Sequence, residues 1–441
     1  MDSLLNQAKA KVDRAELYRL ERQTTPLAFR TGQLESIHTK QIGGYALRVV
    51  WNGHLGYATT TDSAQPEALL DAAMDAAAFG ERVSLALPGP RADRGARRYD
   101  EDLASAPMEE LVALGEQVVA GLESGAPEAE TGVFVTRGID RVSIENTSGL
   151  NVSEDRASIE VSVEVSCAQE DDIFIVADSI HARSLATLEA DRLVDRVLRN
   201  LRWGETLVPA PSGKMPVVFT PRGAIAVLFP LVFGYSGRSV YLGTSPLKGK
   251  LGEVMFDPRV SLVDDGTVVD GLGGGGFDDE GVPTRRTPLI AGGEVAGFYY
   301  DLRTAELAGV GSTGNGFKGG MLGGADFRAL PSASVSNLLL LPGEATLDEL
   351  IEEVGDGLLV DTVLGLGQGN LSSGDFSNNV AVAYKIERGR IIGRVKNAML
   401  AGNTYRLLND RVVGIGDCPE WIFGRLFVPP LALSEVNVAA K

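Results

Sequence analysis

The hydrophobic pattern changes character across Thr206–Pro216, a stretch that holds Pro209, Pro211 and Pro216. Each proline fixes φ and removes a backbone donor, so three this close interrupt any helix or central strand. Before this stretch, helix and strand periods alternate. After it, Gly becomes dense and short β runs dominate. The chain has 441 residues, beyond the roughly 250–300 at which a single core stops growing. The sequence therefore predicts an α+β fold in two domains. Residues 1–205 form an α+β domain with an antiparallel sheet and helices. Residues 206–441 form a mainly β domain, barrel-like or a rolled sheet.

In the first half, Tyr45, Leu47, Val49 and Trp51 recur at every second residue, the period of a half-buried strand. Asn52-Gly53 follows, the strongest short hairpin signal, because both turn positions need positive φ. Ile159, Val161, Val163 and Val165 alternate in the same way within a strand predicted over 157–167. Two further strands are predicted over 131–137 and 141–145. Helices are predicted over 3–14, from Asp62-Ser63 to Gly80, over 108–122 and over 184–203, with a surface connection over 86–107. In the second half only 222–233 and 346–354 read as helices. Short strands are predicted at Met215–Thr220, Val260–Val263, Pro288–Ile290, Val295–Tyr300, Ser336–Leu341, Val380–Ile386, Arg390–Val395 and Arg425–Leu431.

Composition narrows the function classes. The formal net charge is −18, and no Lys/Arg-rich run interrupts the acidic balance, which argues against direct nucleic-acid binding. No stretch approaches the roughly 18–20 apolar residues that span a bilayer. The N-terminus lacks the basic-then-apolar layout of a signal peptide. Cys167 and Cys418 are too few for a disulfide scaffold, so a reducing cytoplasm is the expected compartment.

Candidate chemistry is sparse. A zinc hydrolase usually needs two His on one helical face plus a third ligand. His38, His54 and His181 are isolated, with His54 beside the Asn52-Gly53 turn and expected to be exposed. Asp264-Asp265 and Asp278-Asp279-Glu280 could supply oxygen ligands. Each is followed by Gly, and the favoured reading is that these Asp side chains cap tight turns by accepting backbone N–H bonds. Gly271–Gly276 lacks the Lys-Ser/Thr of a phosphate loop and leads into acidic residues, so it is expected to be a mobile or close-packed loop. Cys418 has no His nearby in sequence, and its default role is that of a small buried residue. No G-x-S-x-G elbow is present.

Taken in order along the chain, a set of segments resembles the TldD/PmbA family, once called modulators of DNA gyrase. They are PVVFTPRGAIAVL at 216–228, DDGT at 264–267, FDDEGVPTRRTPLI at 277–290 and GEVAGFYYDLRTAELAG at 293–309. STGNG at 312–316, LLLPG at 339–343, SGDFS at 373–377 and VKNAMLAGN at 395–403 follow. FRTGQLESIHTKQIGGYALRVVWNGHLGYATTTD at 29–62 is similar to the family's opening strands.

The family has two kinds of subunit. The TldD kind carries an HExxxH helix after the P-V-V strand and a late Cys as third zinc ligand. The PmbA/TldE kind lacks that helix motif and pairs with it. The resemblance sets HExxxH against residues 228–233. Its two His positions are then Leu228 and Phe233 and its Glu position is Phe229, none able to hold a metal or move a proton. Cys418 falls near the late Cys and is either a relic ligand or a coincidence. The resemblance thus implies a subunit with no catalytic or metal residue and no cofactor of its own, the zinc belonging to a TldD-like partner. The pair would act on a peptide substrate, without direct contact to nucleic acid or membrane. Two alternatives stay open. One is a stand-alone peptide- or protein-binding homodimer. The other is an enzyme with a different site, built on Asp278, Asp279, Glu280 or Cys418.

Overall fold

The computed structural model describes residues 4–91, 99–169, 172–321 and 326–440. Ser3, at the start of the first predicted helix, and residues 92–98 of the predicted 86–107 connection lie outside the described residues.

The chain opens with α1 (Leu4–Lys11), β1 (Arg14–Arg30), β2 (Gln33–Ile37), β3 (Lys40–Trp51) and β4 (His54–Thr60). Three helices follow, α2 (Pro66–Ala77), α3 (Glu101–Ser105) and α4 (Met108–Gly125). Then come β5 (Glu130–Asn146), β6 (Asn151–Gln169), β7 (Asp172–Ala182) and α5 (Ala190–Trp203). The strands form one antiparallel sheet in the order β4-β3-β1-β5-β6-β7, with β2 on β1. Asn52 (φ 51°) and Gly53 (φ 76°) make the expected turn, with Trp51 opposite His54. The two strands predicted over 131–137 and 141–145 are one, β5. It pairs with β1 on one side and β6 on the other through Gly138, and this two-sided pairing overrides the local break. The helix predicted from 184 starts at Ala190, because Ser184 and Thr187 close a turn through their hydroxyls, 3.0 Å apart.

Side-chain alternation sends the two faces of this sheet to different neighbours. Leu27, Phe29, Val133 and Val135 face α4 and α5, where Leu111, Val118, Leu122, Leu193 and Val197 fill one core. Tyr18, Leu20, Val142 and Ile144 point the other way and pack against Phe277 and Phe327 of the second half.

That second half begins with β8 (Gly213–Phe219), α6 (Ile225–Gly234), α7 (Gly237–Leu242), β9 (Leu262–Asp265), β10 (Arg286–Ala291) and β11 (Glu294–Val295). It continues with α8 (Leu302–Ala308), β12 (Gly316–Phe317), β13 (Ser332–Ala333), β14 (Leu338–Leu340), α9 (Leu347–Val354), β15 (Gly357–Leu364) and β16 (Asp375–Glu387). It ends with β17 (Arg390–Val395), β18 (Ala398–Asn403), α10 (Thr404–Asp410), β19 (Val412–Ile415), β20 (Glu420–Ile422), β21 (Leu426–Val428) and β22 (Leu431–Ala440).

The pairing β15-β8-β22-β18-β16 closes on itself through β15–β16, so the expected barrel is present, with five strands. A second sheet runs β11-β10-β9-β14-β21-β20. Val217, Phe219, Leu358, Val360, Leu431 and Leu433 share one core with Leu228 and Leu231 of α6. Their neighbours Val218, Leu359 and Ala432 point to the other side and join the core under the first sheet. One hydrophobic core therefore takes residues from both halves of the chain.

Four short helices escaped the sequence reading, α3 (inside the predicted 86–107 connection), α7, α8 and α10. At five to seven residues they are too short to show a helical period. α8 did carry boundary signals, since Asp301 accepts from Thr304 N and Gly309 ends it at φ 68°. The strand predicted over Val295–Tyr300 pairs only at Glu294–Val295, with Tyr299 bridging Ser236. No helix among the described residues is long and apolar enough to cross a membrane.

Candidate functional site

Helix α6 is apolar nearly all round, which is the pattern of a helix packed on most sides. Leu228 is 1% exposed, inside the barrel core. Phe229 is half-buried and Phe233 is 40% exposed, and their rings meet edge-on at 5.5 Å one helical turn apart. None of the three side chains carries a lone pair. These residues do not fit a metal ion. Among the described residues, no cluster of three or more His, Cys, Asp or Glu side chains stands ready to hold one.

Cys418 is exposed, contrary to the buried role expected from its type. Its Sγ lies 3.6 Å from Arg192 Nη2, in a cleft of 160 Å³ lined also by Asp178, Asp361 and Glu420. Neither Leu228, Phe229 nor Phe233 lines that cleft. Of the histidines, His38 is exposed, whereas His54 is half-buried, its Nδ1 2.9 Å from Gly80 O. His181 lies 3.4 Å from Glu160.

The acidic loop divides by role. Asp278 caps its turn as expected, with Oδ1 accepting from Glu280 N (3.0 Å) and Val282 N (2.9 Å) and Oδ2 from Gly316 N (2.8 Å). Asp265 likewise accepts from Thr267 N at 2.9 Å. Asp264 departs from that reading. It is buried in a cross-strand network, accepting from Asn315 Nδ2 (2.6 Å), Ser336 N (2.7 Å) and Ser336 Oγ (2.9 Å). Burial pushes its carboxyl up to about 7.

Glu280 is not a turn cap either. Its Oε1 accepts from Arg48 Nη1 at 2.5 Å and its Oε2 from Leu302 N at 2.7 Å, while Arg48 Nη2 reaches Glu16 at 2.9 Å. Burial pushes Glu280 up to about 7 against the opposing pull of Arg48. A side chain at Gly316 would place its Cβ 2.2 Å from Glu280 Oε2, so only glycine lets β12 come this close. The Gly271–Gly276 loop is close-packed. A Cβ at Gly273 would fall 1.9 Å from Ser336 O, and Gly274 has φ 71°.

Asp279 turns a different way. Its Oδ2 accepts from Lys318 N (2.8 Å), and its Oδ1 lies 3.4 Å from Tyr18 OH. It lines a 220 Å³ pocket between the first sheet and the second half. Tyr18 and Arg22 of β1, Asp140 of β5 and Arg156 of β6 supply one wall; Lys318 and Arg425 stand on the other. Lys318 Nζ donates to Tyr57 OH (2.9 Å) and Ala329 O (3.1 Å) and sits 4.6 Å from the Tyr18 ring centre. Burial pulls its ammonium down to about 8. No sequence motif announces this pocket. Its residues are scattered from 18 to 425; within β1, Tyr18, Leu20 and Arg22 share one face of the strand.

A closed barrel joined by a shared core to an antiparallel α+β layer, with an apolar α6 after the first barrel strand, defines the structural class. A family model for the PmbA/TldA metallopeptidase C-terminal domain matches residues 212–440, and one for domain 1 of the same family matches residues 15–78. The chain belongs to the TldD/PmbA metallopeptidase family. It is 26% identical to a metalloprotease of Methanothermobacter thermautotrophicus, over 95% of this chain and 93% of that protein. It is 33% identical to a metalloprotease TldD homolog of Haemophilus influenzae, over 53% of this chain and 48% of the relative, so it spans about half of that protein's length. The crystal structure of TldE from Thermococcus kodakarensis has the same fold, with a TM-score of 0.89, 24% identity and full coverage of both chains.

Proposed function

We propose that this chain is a non-catalytic, PmbA/TldE-like subunit that pairs with a TldD-like zinc metallopeptidase in the cytoplasm to form a peptide-trimming complex. The observation that carries the reading is the chemistry of α6. Leu228, Phe229 and Phe233 stand where the resemblance sets the two ligands and the general base, and hydrocarbon side chains perform neither task. Burial of Leu228 in the barrel core supports the same reading, because that side chain works as packing. The alternative site on the acidic loop draws less support, since Asp278 and Glu280 already have protein donors on both carboxylate oxygens. In this reading the chain contributes walls, shape and a partner surface, and the zinc stays in the partner. Mixing the purified chain with a TldD-like chain from the same genome tests it by size-exclusion chromatography with light scattering. A hetero-assembly is expected; a homodimer that ignores the partner would favour the stand-alone binding protein.

A further inference from the structure

The 220 Å³ pocket holds four cationic side chains with unequal compensation. Arg22 is forked onto Asp140 at 2.8 and 2.6 Å. Arg156 Nε donates to Glu154 at 2.9 Å. Lys318 is held by Tyr57 OH and Ala329 O, with Asp279 beside its own backbone N–H. The side chain of Arg425 makes no hydrogen bond or ion pair with any described residue. Burial draws its guanidinium below the usual range, as expected when no paired carboxylate offsets desolvation. Arg156 Nη2 lies 2.8 Å from the same Glu154 oxygen, so this guanidinium is paired on both nitrogens. The remaining lining carboxylate, Asp326, is forked onto Arg328 outside the pocket, with Nε to Oδ1 at 2.9 Å. Counting Arg22, Arg156, Lys318 and Arg425 against Asp140, Glu154 and Asp279, with Asp326 paired to Arg328, the pocket keeps one unit of positive charge, and Arg425 is the cation whose side chain bonds no described residue.

We propose that this pocket binds a single carboxylate of a peptide, with Arg425 as its principal contact. One net positive charge and a planar guanidinium fork match a singly charged carboxylate better than a doubly charged phosphate. The carboxylate is either the peptide's C-terminus or an acidic side chain. The proposal rests on the peptide-handling reading above for its ligand class, but the pocket belongs to this chain and needs no partner subunit.

The test is calorimetric titration of the purified chain with an unstructured Gly/Ala-rich pentapeptide in three forms: free acid, C-terminal amide, and amide with one internal Glu. The free acid, the Glu-containing amide, or both should bind at least about tenfold tighter than the plain amide. Preference for the free acid assigns the pocket to the C-terminus; preference for the Glu form assigns it to a side chain. Arg425→Gln should erase the preference, and Arg425→Lys should keep part of it. Because the Arg425 side chain makes no hydrogen bond or ion pair with a described residue, neither change should lower the melting temperature. Equal binding of all three peptides, or a preference that survives Arg425→Gln, overturns the proposal. Failure of the subunit reading shows separately, in metal content and cleavage, which this titration does not measure.

Discussion

Arg48 Nη1 lies 2.5 Å from Glu280 Oε1, joining residues 232 positions apart in sequence. One cation in the first sheet thereby holds the acidic loop of the second half, with Glu16 on its other nitrogen. Glu16, Arg48 and Glu280 are all nearly inaccessible to water. Removing Arg48 would leave two buried carboxylates without a counter-ion. Arg48→Met should therefore cost about 3–5 kcal/mol of unfolding free energy. The triple change Arg48→Met, Glu16→Gln, Glu280→Gln should recover part of that loss. Urea denaturation checks both; a loss below about 1 kcal/mol for the single change would contradict the bridge.

Asp264 sets a pH dependence. Its carboxyl is raised to about 7 by burial, more than its hydrogen bonds offset, from about 4 in the unfolded chain. A raised folded pKa stabilises fully below the unfolded value, and that contribution is lost as pH rises through the folded value. Its share of stability should thus fall between pH ~4 and ~7. Denaturation midpoints at several pH values should show a smaller fall for Asp264→Asn than for the natural chain. Parallel curves would contradict the assignment.

Two positions on one helix should respond differently to the same residue. Leu228→His puts a polar ring into the barrel core and should cost about 2–5 kcal/mol. Phe233→His, at a site 40% exposed, should cost about 1 kcal/mol or less. Thermal melts of the two variants check this ordering, and a tolerated Leu228→His would contradict the packing described for α6.

The two cysteines should differ in reactivity. Cys418 is exposed and close to Arg192, whereas Cys167 is half-buried with its thiol pushed up by burial. Iodoacetamide should modify Cys418 first, as peptide mass mapping over time would show. Faster labelling of Cys167 would contradict this placement.

Much of the framework was legible because it depends on period and turn chemistry. Tyr45 to Trp51, Asn52-Gly53 and Ile159 to Val165 announced strands and a hairpin through side-chain alternation alone. The dense Gly and short β runs after Pro216 announced a barrel or rolled sheet, though not that Val218 and Leu359 would join a core with α4 and α5. That sharing depends on which face of each barrel strand is covered, a long-range property. Within the acidic loop, Asp278 behaves as local turn chemistry expects, while Glu280 answers to Arg48, a residue no spacing rule connects to it. The pocket at Arg425 was invisible for the same reason. Each of its side chains is unremarkable in its own stretch, and only the packing of the first sheet on the second half brings them together.

The most direct test of the subunit reading is zinc content and peptide cleavage, measured for the purified chain alone and with its TldD-like partner on the same unstructured peptide. The account predicts neither metal nor cleavage for the lone chain and both for the mixture. Stoichiometric zinc or sustained cleavage by the lone chain would contradict it.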